Sequence, residues 1–181
     1  MRLLMLDRDG VLNVDRAESV RTPDALEMIP GAAAAVARVN AARIPVAIVS
    51  NQSVVGRGIV DAAMLERIHD RLRDALACEG AGIDAWFVCT DPPDRATERR
   101  KPRPGMLREA LARFRVAPGD AVMVGDAPGD LEAARAAGCR RVLVRTGKGA
   151  ATQAQGIAPH LLPVAVHADL AAAVEALLAG R

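Results

Sequence analysis

Short apolar runs alternate with longer amphipathic stretches along the whole chain. Runs such as residues 3–6 are continuously apolar, which is typical of strands buried on both faces of a sheet. Between these runs apolar residues recur at helical spacing, and Gly138 is suited to a helix end. The pattern predicts strands at 2–6, 44–49, 85–89, 121–124 and 141–145, and helices at about 31–42, 61–79, 104–115, 128–137 and 168–179.

This alternation predicts an α/β fold, a doubly wound, Rossmann-like parallel sheet with helices on both faces. At 181 residues the chain is expected to form one domain over residues 1–181. Right-handed crossovers would place the carboxyl ends of the strands at one edge of the sheet, where ligands bind near the topological switch point. Residues that directly follow strands are therefore the candidates for a functional site.

Composition and charge narrow the classes of partner. Hydrophobic residues make up 51% and charged residues 25%, as in ordinary globular proteins. A net charge of +2 and only 2% aromatic residues give no basis for nucleic-acid binding. The first apolar run is too short for a signal peptide or a membrane span, and three widely spaced cysteines do not indicate a disulfide framework. We therefore expect a cytoplasmic monomer with no nucleic-acid or membrane partner.

Two carboxylates follow the first predicted strand. Asp7 and Asp9 are one residue apart, so an extended backbone would direct both side chains to the same side. Two like charges this close are unfavourable unless a cation joins them or one holds a proton. This favours one Asp as nucleophile, the other as general acid and base, and a divalent cation such as Mg²⁺. A calcium loop is excluded because Val11 and Leu12 stand where it needs a ligand and a glycine.

A stretch of small polar residues follows the second predicted strand. The segment contains Ser50, Asn51, Gln52 and Ser53, and then Gly56, Arg57 and Gly58. Its hydroxyl, amide and backbone N–H groups are suited to bind a phosphate oxygen. The alternative is an ordinary loop, in which serine and asparagine are common for backbone reasons.

One lysine stands within an arginine-rich cluster at residues 99–103. Only Lys101 and Lys148 are lysines among 24 basic residues. A compact ammonium is not equivalent to a planar guanidinium, so Lys101 is a candidate to neutralise a phosphoryl group between carboxylates. The alternative is a solvated run of charge.

Two further carboxylates follow the fourth predicted strand. Asp126 ends that strand and would complete a set of oxygen ligands for Mg²⁺. Asp130 falls in the first turn of the next helix, where a carboxylate is also favourable as a cap.

Taken in order, these motifs resemble the haloacid dehalogenase-like phosphohydrolase superfamily. The order is strand-DxDG, strand-SN, K-P and strand-GDxxxD, and the resemblance covers nearly the whole chain. Within the superfamily, DRDGVLN, SNQS with GRG, RKPRPGM, MVGD and VLVRTGK are most similar to the D-glycero-D-manno-heptose 1,7-bisphosphate 7-phosphatase group. Histidinol-phosphate phosphatase is the nearest relative of that group.

The resemblance implies a role for each matching residue. Asp7 would form an aspartyl-phosphate, and Asp9 would protonate the leaving group and then activate water. Mg²⁺ would be held by Asp7, the backbone carbonyl of Asp9, and Asp126. Ser50 and Lys101 would stabilise the phosphoryl oxygens, and Asp130 would orient Lys101 or a metal-bound water. The residues implied in binding a small phosphorylated metabolite are Asp15, Arg16, Ala17, Glu18, Asn51, Gln52, Ser53, Arg57 and Arg100.

The chain departs from the heptose-bisphosphate group in one loop. That group carries four zinc ligands, Cys-x-His and Cys-x-Cys, where this chain has Cys89, Asp91, Thr97 and Arg99. A structural zinc site needs four ligands, so no zinc is expected. The short intervals after the first and third strands leave no space for a lid domain, and a capless fold is expected.

Three functions stay open from the sequence. The first is a magnesium-dependent phosphatase that prefers a sugar bisphosphate. The second is a phosphatase for histidinol phosphate or another sugar phosphate. The third is a catalytically idle scaffold that binds phosphate. The presence of Asp7 and Asp9 together with Lys101 and Asp126 argues against it, because a protein that only binds phosphate does not need two adjacent acids.

Overall fold

The computed structural model describes residues 1–180, in which one parallel sheet lies between two layers of helices. The strands are β1 (Leu3–Leu6), β2 (Val46–Asn51), β3 (Ala85–Cys89), β4 (Ala121–Gly125), β5 (Arg140–Val144) and β6 (Ala165–His167). The helices are α1 (Ala32–Ala41), α2 (Ser53–Gly56), α3 (Ala62–Ala77), α4 (Gly105–Phe114), α5 (Pro128–Ala137), α6 (Gly149–Ala154) and α7 (Leu170–Ala179). No helix within these residues combines the length and the apolar character needed to cross a membrane.

The strands lie in the order β3-β2-β1-β4-β5-β6, and each neighbouring pair is parallel. The chain runs outward from β1 to β3 and then crosses back to β4 on the other side of β1. The topological switch point, where ligands bind in sheets of this kind, is therefore between β1 and β4. This arrangement confirms the predicted doubly wound fold.

Strand β1 is buried on both faces and anchors the site. Leu4 and Leu6 pack into the core beneath α1, α3 and α7, whereas Leu3 and Met5 pack against α4 and α5. All four side chains are fully buried, and each such burial contributes roughly 1.5–3 kcal/mol. The residue after this strand, Asp7, is thereby held at a fixed position at the edge of the sheet.

Three short elements were not predicted from the sequence. Strand β6 has three residues, α2 has four and α6 has six, so none contains enough residues to show a clear apolar period. Strand β2 also begins and ends two residues later than the predicted range. Ser50 and Asn51 therefore belong to the strand itself rather than to a following loop.

Candidate active site at the carboxyl edge of the sheet

Several strand ends converge on one cleft. Asp7 follows β1, Ser50 and Asn51 end β2, and Asp126 follows β4. Strand pairing sets their proximity, since the N–H of Asp7 donates to the carbonyl of Val124 at 3.0 Å. The cleft encloses about 270 Å³ and is lined by Asp7, Asp9, Asp15, Ser19, Ser50, Asn51, Ser53, Arg100, Lys101, Asp126, Ala127, Gly129, Asp130 and Lys148.

Lys101 is a buried cation at the centre of the cleft. Its Nζ lies 3.1 Å from Oδ2 of Asp7 and 2.6 Å from Oδ1 of Asp130, and it donates to the carbonyl of Val49 at 2.8 Å. Burial by itself would lower the pKa of Lys101, but the charges of Asp130 and Asp7 outweigh it and raise the pKa above its ordinary value. The ammonium is therefore charged at neutral pH and fixed beside Asp7.

Three carboxylates form a group that is suited to a divalent cation. Asp7, Asp126 and Asp130 each offer an oxygen, and these oxygens lie within 4.8 Å of one another. Burial and the neighbouring negative charges raise the pKa of Asp7 to about 6 and that of Asp126 to about 7. Asp130 is already engaged, since its two oxygens contact Lys101 and the N–H of Ala127. Asp7 is engaged as well, since its Oδ1 accepts from the N–H of Arg8 at 2.7 Å and its Oδ2 faces Lys101, so all three carboxylates together form the set of oxygen ligands that suits a hard cation such as Mg²⁺.

Two glycines shape the space around Asp126. Gly10 has φ +82° and Gly147 has φ +56°, a region that favours glycine, and a Cβ at either position would collide with the carboxylate of Asp126. The backbone N–H of Lys148 donates to Oδ2 of Asp126 at 2.8 Å, and Thr152 Oγ1 donates to its carbonyl at 2.9 Å. The loop that follows β5 therefore closes directly over this carboxylate.

Asp9 has its own set of hydrogen-bond partners. The guanidinium of Arg8, which is fully buried, donates from Nη2 to both oxygens of Asp9 at 2.9 Å. Asn13 and Gln52 each donate to the same carboxylate at 2.8 Å. Although burial would raise the pKa of Asp9, Arg8 and these two amides lower it below its ordinary value. The sequence pattern did not identify Arg8 as a site residue, because in the sequence it only stands between Asp7 and Asp9.

The residues that end β2 organise the site from within. Gln52 Nε2 donates to Ser50 Oγ at 3.0 Å as well as to Asp9, and Gln52 is buried. Asn51 forms two hydrogen bonds with the backbone of Lys101. Its Nδ2 donates to the Lys101 carbonyl at 2.9 Å, and its Oδ1 accepts from the Lys101 N–H at 3.1 Å. These amides, predicted to contact substrate, are engaged in holding Asp9 and Lys101.

The remaining predicted substrate residues divide into two sets. Those that line the cleft are Asp15, Ser53 and Arg100. Those that lie outside its lining are Arg16, Ala17, Glu18 and Arg57. Arg16, for example, is 3.2 Å from Glu27 at the exposed surface. The lining also includes Lys148, which was not predicted although it is the only lysine besides Lys101.

A hydrogen-bonded ring closes the loop that follows β3. Asp91 Oδ2 accepts from the backbone N–H of Thr97 at 2.8 Å and from the Thr97 hydroxyl, and these bonds hold the pKa of Asp91 below its ordinary value. The N–H of Arg100 donates to the carbonyl of Thr97, and its guanidinium donates to the carbonyl of Asp91 at 2.8 Å. Two positions at which the resembled group has zinc ligands thus bond directly to each other.

Comparison with known proteins places the chain in a family. The profile of the HAD-hydrolase-like family matches residues 98–173. The D-glycero-beta-D-manno-heptose-1,7-bisphosphate 7-phosphatase of Bordetella bronchiseptica is 44% identical over 178 residues, which is 98% of each chain. That of Pseudomonas aeruginosa is 43% identical over 97% of each chain. The chain belongs to this HAD-like phosphatase family.

Solved structures agree with this family assignment. The D,D-heptose 1,7-bisphosphate phosphatase of B. bronchiseptica, complexed with magnesium and phosphate, has a TM-score of 0.96 and 43% identity, and 100% of each chain is covered. The corresponding phosphatase of Burkholderia thailandensis has a TM-score of 0.77 and 37% identity, with 98% of this chain and 99% of that chain covered. The predicted resemblance to heptose-bisphosphate phosphatases is therefore confirmed.

Proposed function

We propose that this member of the family is a magnesium-dependent phosphatase that removes the 7-phosphate of D-glycero-beta-D-manno-heptose 1,7-bisphosphate. The observation that carries the proposal is the contact of Lys101 with Asp7 beside the carboxylate of Asp126, at the switch point of the sheet. A fixed ammonium next to a carboxylate nucleophile is what a transferring phosphoryl group requires. The substrate is taken from the two relatives that are 43–44% identical to this chain.

In the first step an oxygen of Asp7 attacks phosphorus, so that an Asp7–phosphorus bond forms and the bond to the sugar oxygen breaks. Asp9, which takes a proton from solvent in the substrate complex, gives this proton to the departing sugar oxygen. In the second step Asp9 takes a proton from water, the water oxygen attacks phosphorus, and Asp7 is released with inorganic phosphate. The contacts of Asp9 with Arg8 favour its ionised form, which is the form needed as a base in the second step.

Other residues position and neutralise the phosphoryl group. Lys101 and the hydroxyl of Ser50 would contact its oxygens, and Asp130 holds Lys101 in place. Mg²⁺ would be held by Asp7, Asp126 and the backbone carbonyl of Asp9. When bound, it supplies positive charge that offsets the charge of the phosphoryl oxygens.

The outer part of the cleft would bind the sugar. Asp15, Ser53 and Arg100 line it, while Asn51 and Gln52 act through Lys101 and Asp9. The exposed loops would have to move toward the substrate for the four other predicted residues to bind it, which are Arg16, Ala17, Glu18 and Arg57. We further propose that the protein acts in the cytoplasm as a single capless domain and a monomer, without zinc and without nucleic-acid or membrane partners.

Phosphate release from a panel of substrates tests this function. The panel contains both anomers of the heptose 1,7-bisphosphate, the heptose 7-phosphate, other sugar phosphates and histidinol phosphate, each with Mg²⁺ and with EDTA. We expect magnesium-dependent release that is fastest on the beta-anomer of the bisphosphate. Asp7→Asn, which keeps the shape of the side chain, should lose at least about a thousandfold in kcat.

Each alternative has its own result in this assay. Fastest release from histidinol phosphate or another monophosphate would retain the phosphatase and overturn the substrate. An absence of release from every compound, with phosphate binding still measurable by calorimetry, would overturn the enzyme and favour an idle phosphate-binding scaffold.

A further inference from the structure

The backbone of Lys148 is fixed to the floor of the cleft. Its N–H donates to Asp126 Oδ2 at 2.8 Å, and the preceding Gly147 packs closely on Asp126 and Gly10. These contacts involve only the main chain at position 148. A substitution of Lys148 therefore changes the side chain that lines the cleft and leaves the anchoring hydrogen bond in place.

The ammonium of Lys148 contacts Asp15 at the rim of the cleft. Nζ lies 3.1 Å from Oδ2 of Asp15, and the contact joins the loop after β1 to the loop after β5. The side chain of Lys148 is 68% exposed. Asp15 is 20% exposed, but the open ammonium end weakens the ion pair, because solvent screens its charge and pairing costs side-chain entropy. Asp15 is therefore a partner that a more highly charged anion can displace.

Lys148 is also the most exposed cation among the described residues that line the cleft. The cations of the lining are Arg100, Lys101 and Lys148. Lys101 is committed to two buried carboxylates, and the guanidinium of Arg100 donates to the carbonyl of Asp91. An ammonium on a flexible four-carbon stem adapts to the position of a phosphate group, with which it forms a strong charge-assisted hydrogen bond.

A bisphosphate brings two anionic groups into this cleft. The phosphate that reacts lies beside Asp7 and Lys101 at the centre of the cleft. The second phosphate must therefore find a cation elsewhere in the lining. Arg100 reaches the cleft from the β3 side and Lys148 from the β5 side, on opposite sides of β1. We propose that Lys148 leaves Asp15 and binds the phosphate that is not hydrolysed. This inference rests on the proposed function and makes Lys148 a residue that selects bisphosphates over monophosphates.

Kinetics on a matched pair of substrates test this role. The wild type, Lys148→Met, Lys148→Arg and Arg140→Met are compared on the heptose 1,7-bisphosphate and the heptose 7-phosphate. Lys148→Met should lose at least about tenfold more kcat/KM on the bisphosphate than on the monophosphate, mainly through KM. Lys148→Arg, which keeps a positive charge, should retain most of the wild-type preference for the bisphosphate. Arg140 is exposed at the opposite end of β5, so Arg140→Met should keep the wild-type ratio.

Two results would overturn the proposal for Lys148. Equal losses of kcat/KM on both substrates would show that Lys148 acts through Asp126 or through the fold. A bisphosphate preference that survives Lys148→Met would show that Lys148 does not bind the second phosphate. The wild type is measured first. A failure of the proposed substrate then appears as a lack of bisphosphate preference in the unaltered protein, and is distinct from both results.

Discussion

Lys101 and Asp130 form a buried ion pair at 2.6 Å, and both side chains are almost inaccessible to water. The pair fixes the ammonium beside the carboxylate of Asp7. A charge removed from a buried pair leaves its partner uncompensated, so this contact links the stability of the protein to the geometry of its site.

Asp130→Asn should therefore weaken both folding and catalysis. We expect the free energy of unfolding to fall by about 3 kcal/mol, because Lys101 stays buried with one fewer negative charge. Chemical denaturation measures the stability, and phosphate release measures kcat. Glu132→Gln, an exposed change on the same helix, should stay within about 0.5 kcal/mol of the wild type. A similar stability for the two variants would contradict the role given to the ion pair.

Arg8 should control the protonation of Asp9. Replacement by Met removes the guanidinium that lowers the pKa of this carboxyl, so the pKa of Asp9 should rise. When the second step limits kcat, Asp9 must be ionised to accept a proton from water, so the acid limb of the kcat–pH profile should then move to higher pH. Arg8→Lys, which keeps a charge, should shift the limb less, and Arg38→Met on the exposed surface should not shift it. An acid limb that stays in place in Arg8→Met would refute the assignment.

Asp91 should position Arg100 without a metal. Asp91→Ala opens the hydrogen-bonded ring of the loop, so Arg100 becomes more mobile and KM should rise about tenfold while kcat changes little. Thr97→Ser keeps both hydrogen bonds to Asp91 and should behave as the wild type. Elemental analysis of the purified protein should find no stoichiometric zinc. A stoichiometric zinc content, or a loss confined to kcat, would argue for a different role of this loop.

Stabilisation by Mg²⁺ should grow with pH. The pKa values of Asp7 and Asp126 rise from an ordinary 3.8 to about 6 and about 7 in the folded protein. As pH rises from about 4 to 7, the unfolded chain loses these protons first, so the two groups increasingly destabilise the metal-free fold. Mg²⁺ binds the ionised carboxylates and removes this penalty, while at low pH protons compete with it.

Thermal unfolding with Mg²⁺ and with EDTA measures this effect. The difference in Tm should be small at pH 5 and larger at pH 8. Asp126→Asn, which keeps the shape of the side chain but not its charge, should abolish most of the difference. A magnesium-induced shift of the same size at both pH values would contradict the proposed ligands.

The apolar pattern predicted most of the fold. The continuous run at residues 3–6 indicated a strand buried on both faces, and β1 is buried in this way. The pattern could not predict β6, because three residues hold too little of any period. It also could not provide the order of the strands, since parallel pairing joins segments that are distant in the chain.

The sequence by itself determined which residue types stand at the strand ends, because local periodicity and side-chain chemistry are properties of neighbouring residues. It therefore supplied Asp7, the general nature of the chemistry and the family. The resemblance already implied that Asp130 orients Lys101, and only the tertiary structure decided the partners of the other charges. Lys148 meets Asp15, and Gln52 meets Asp9, because strand order and register bring their loops to the same edge of the sheet.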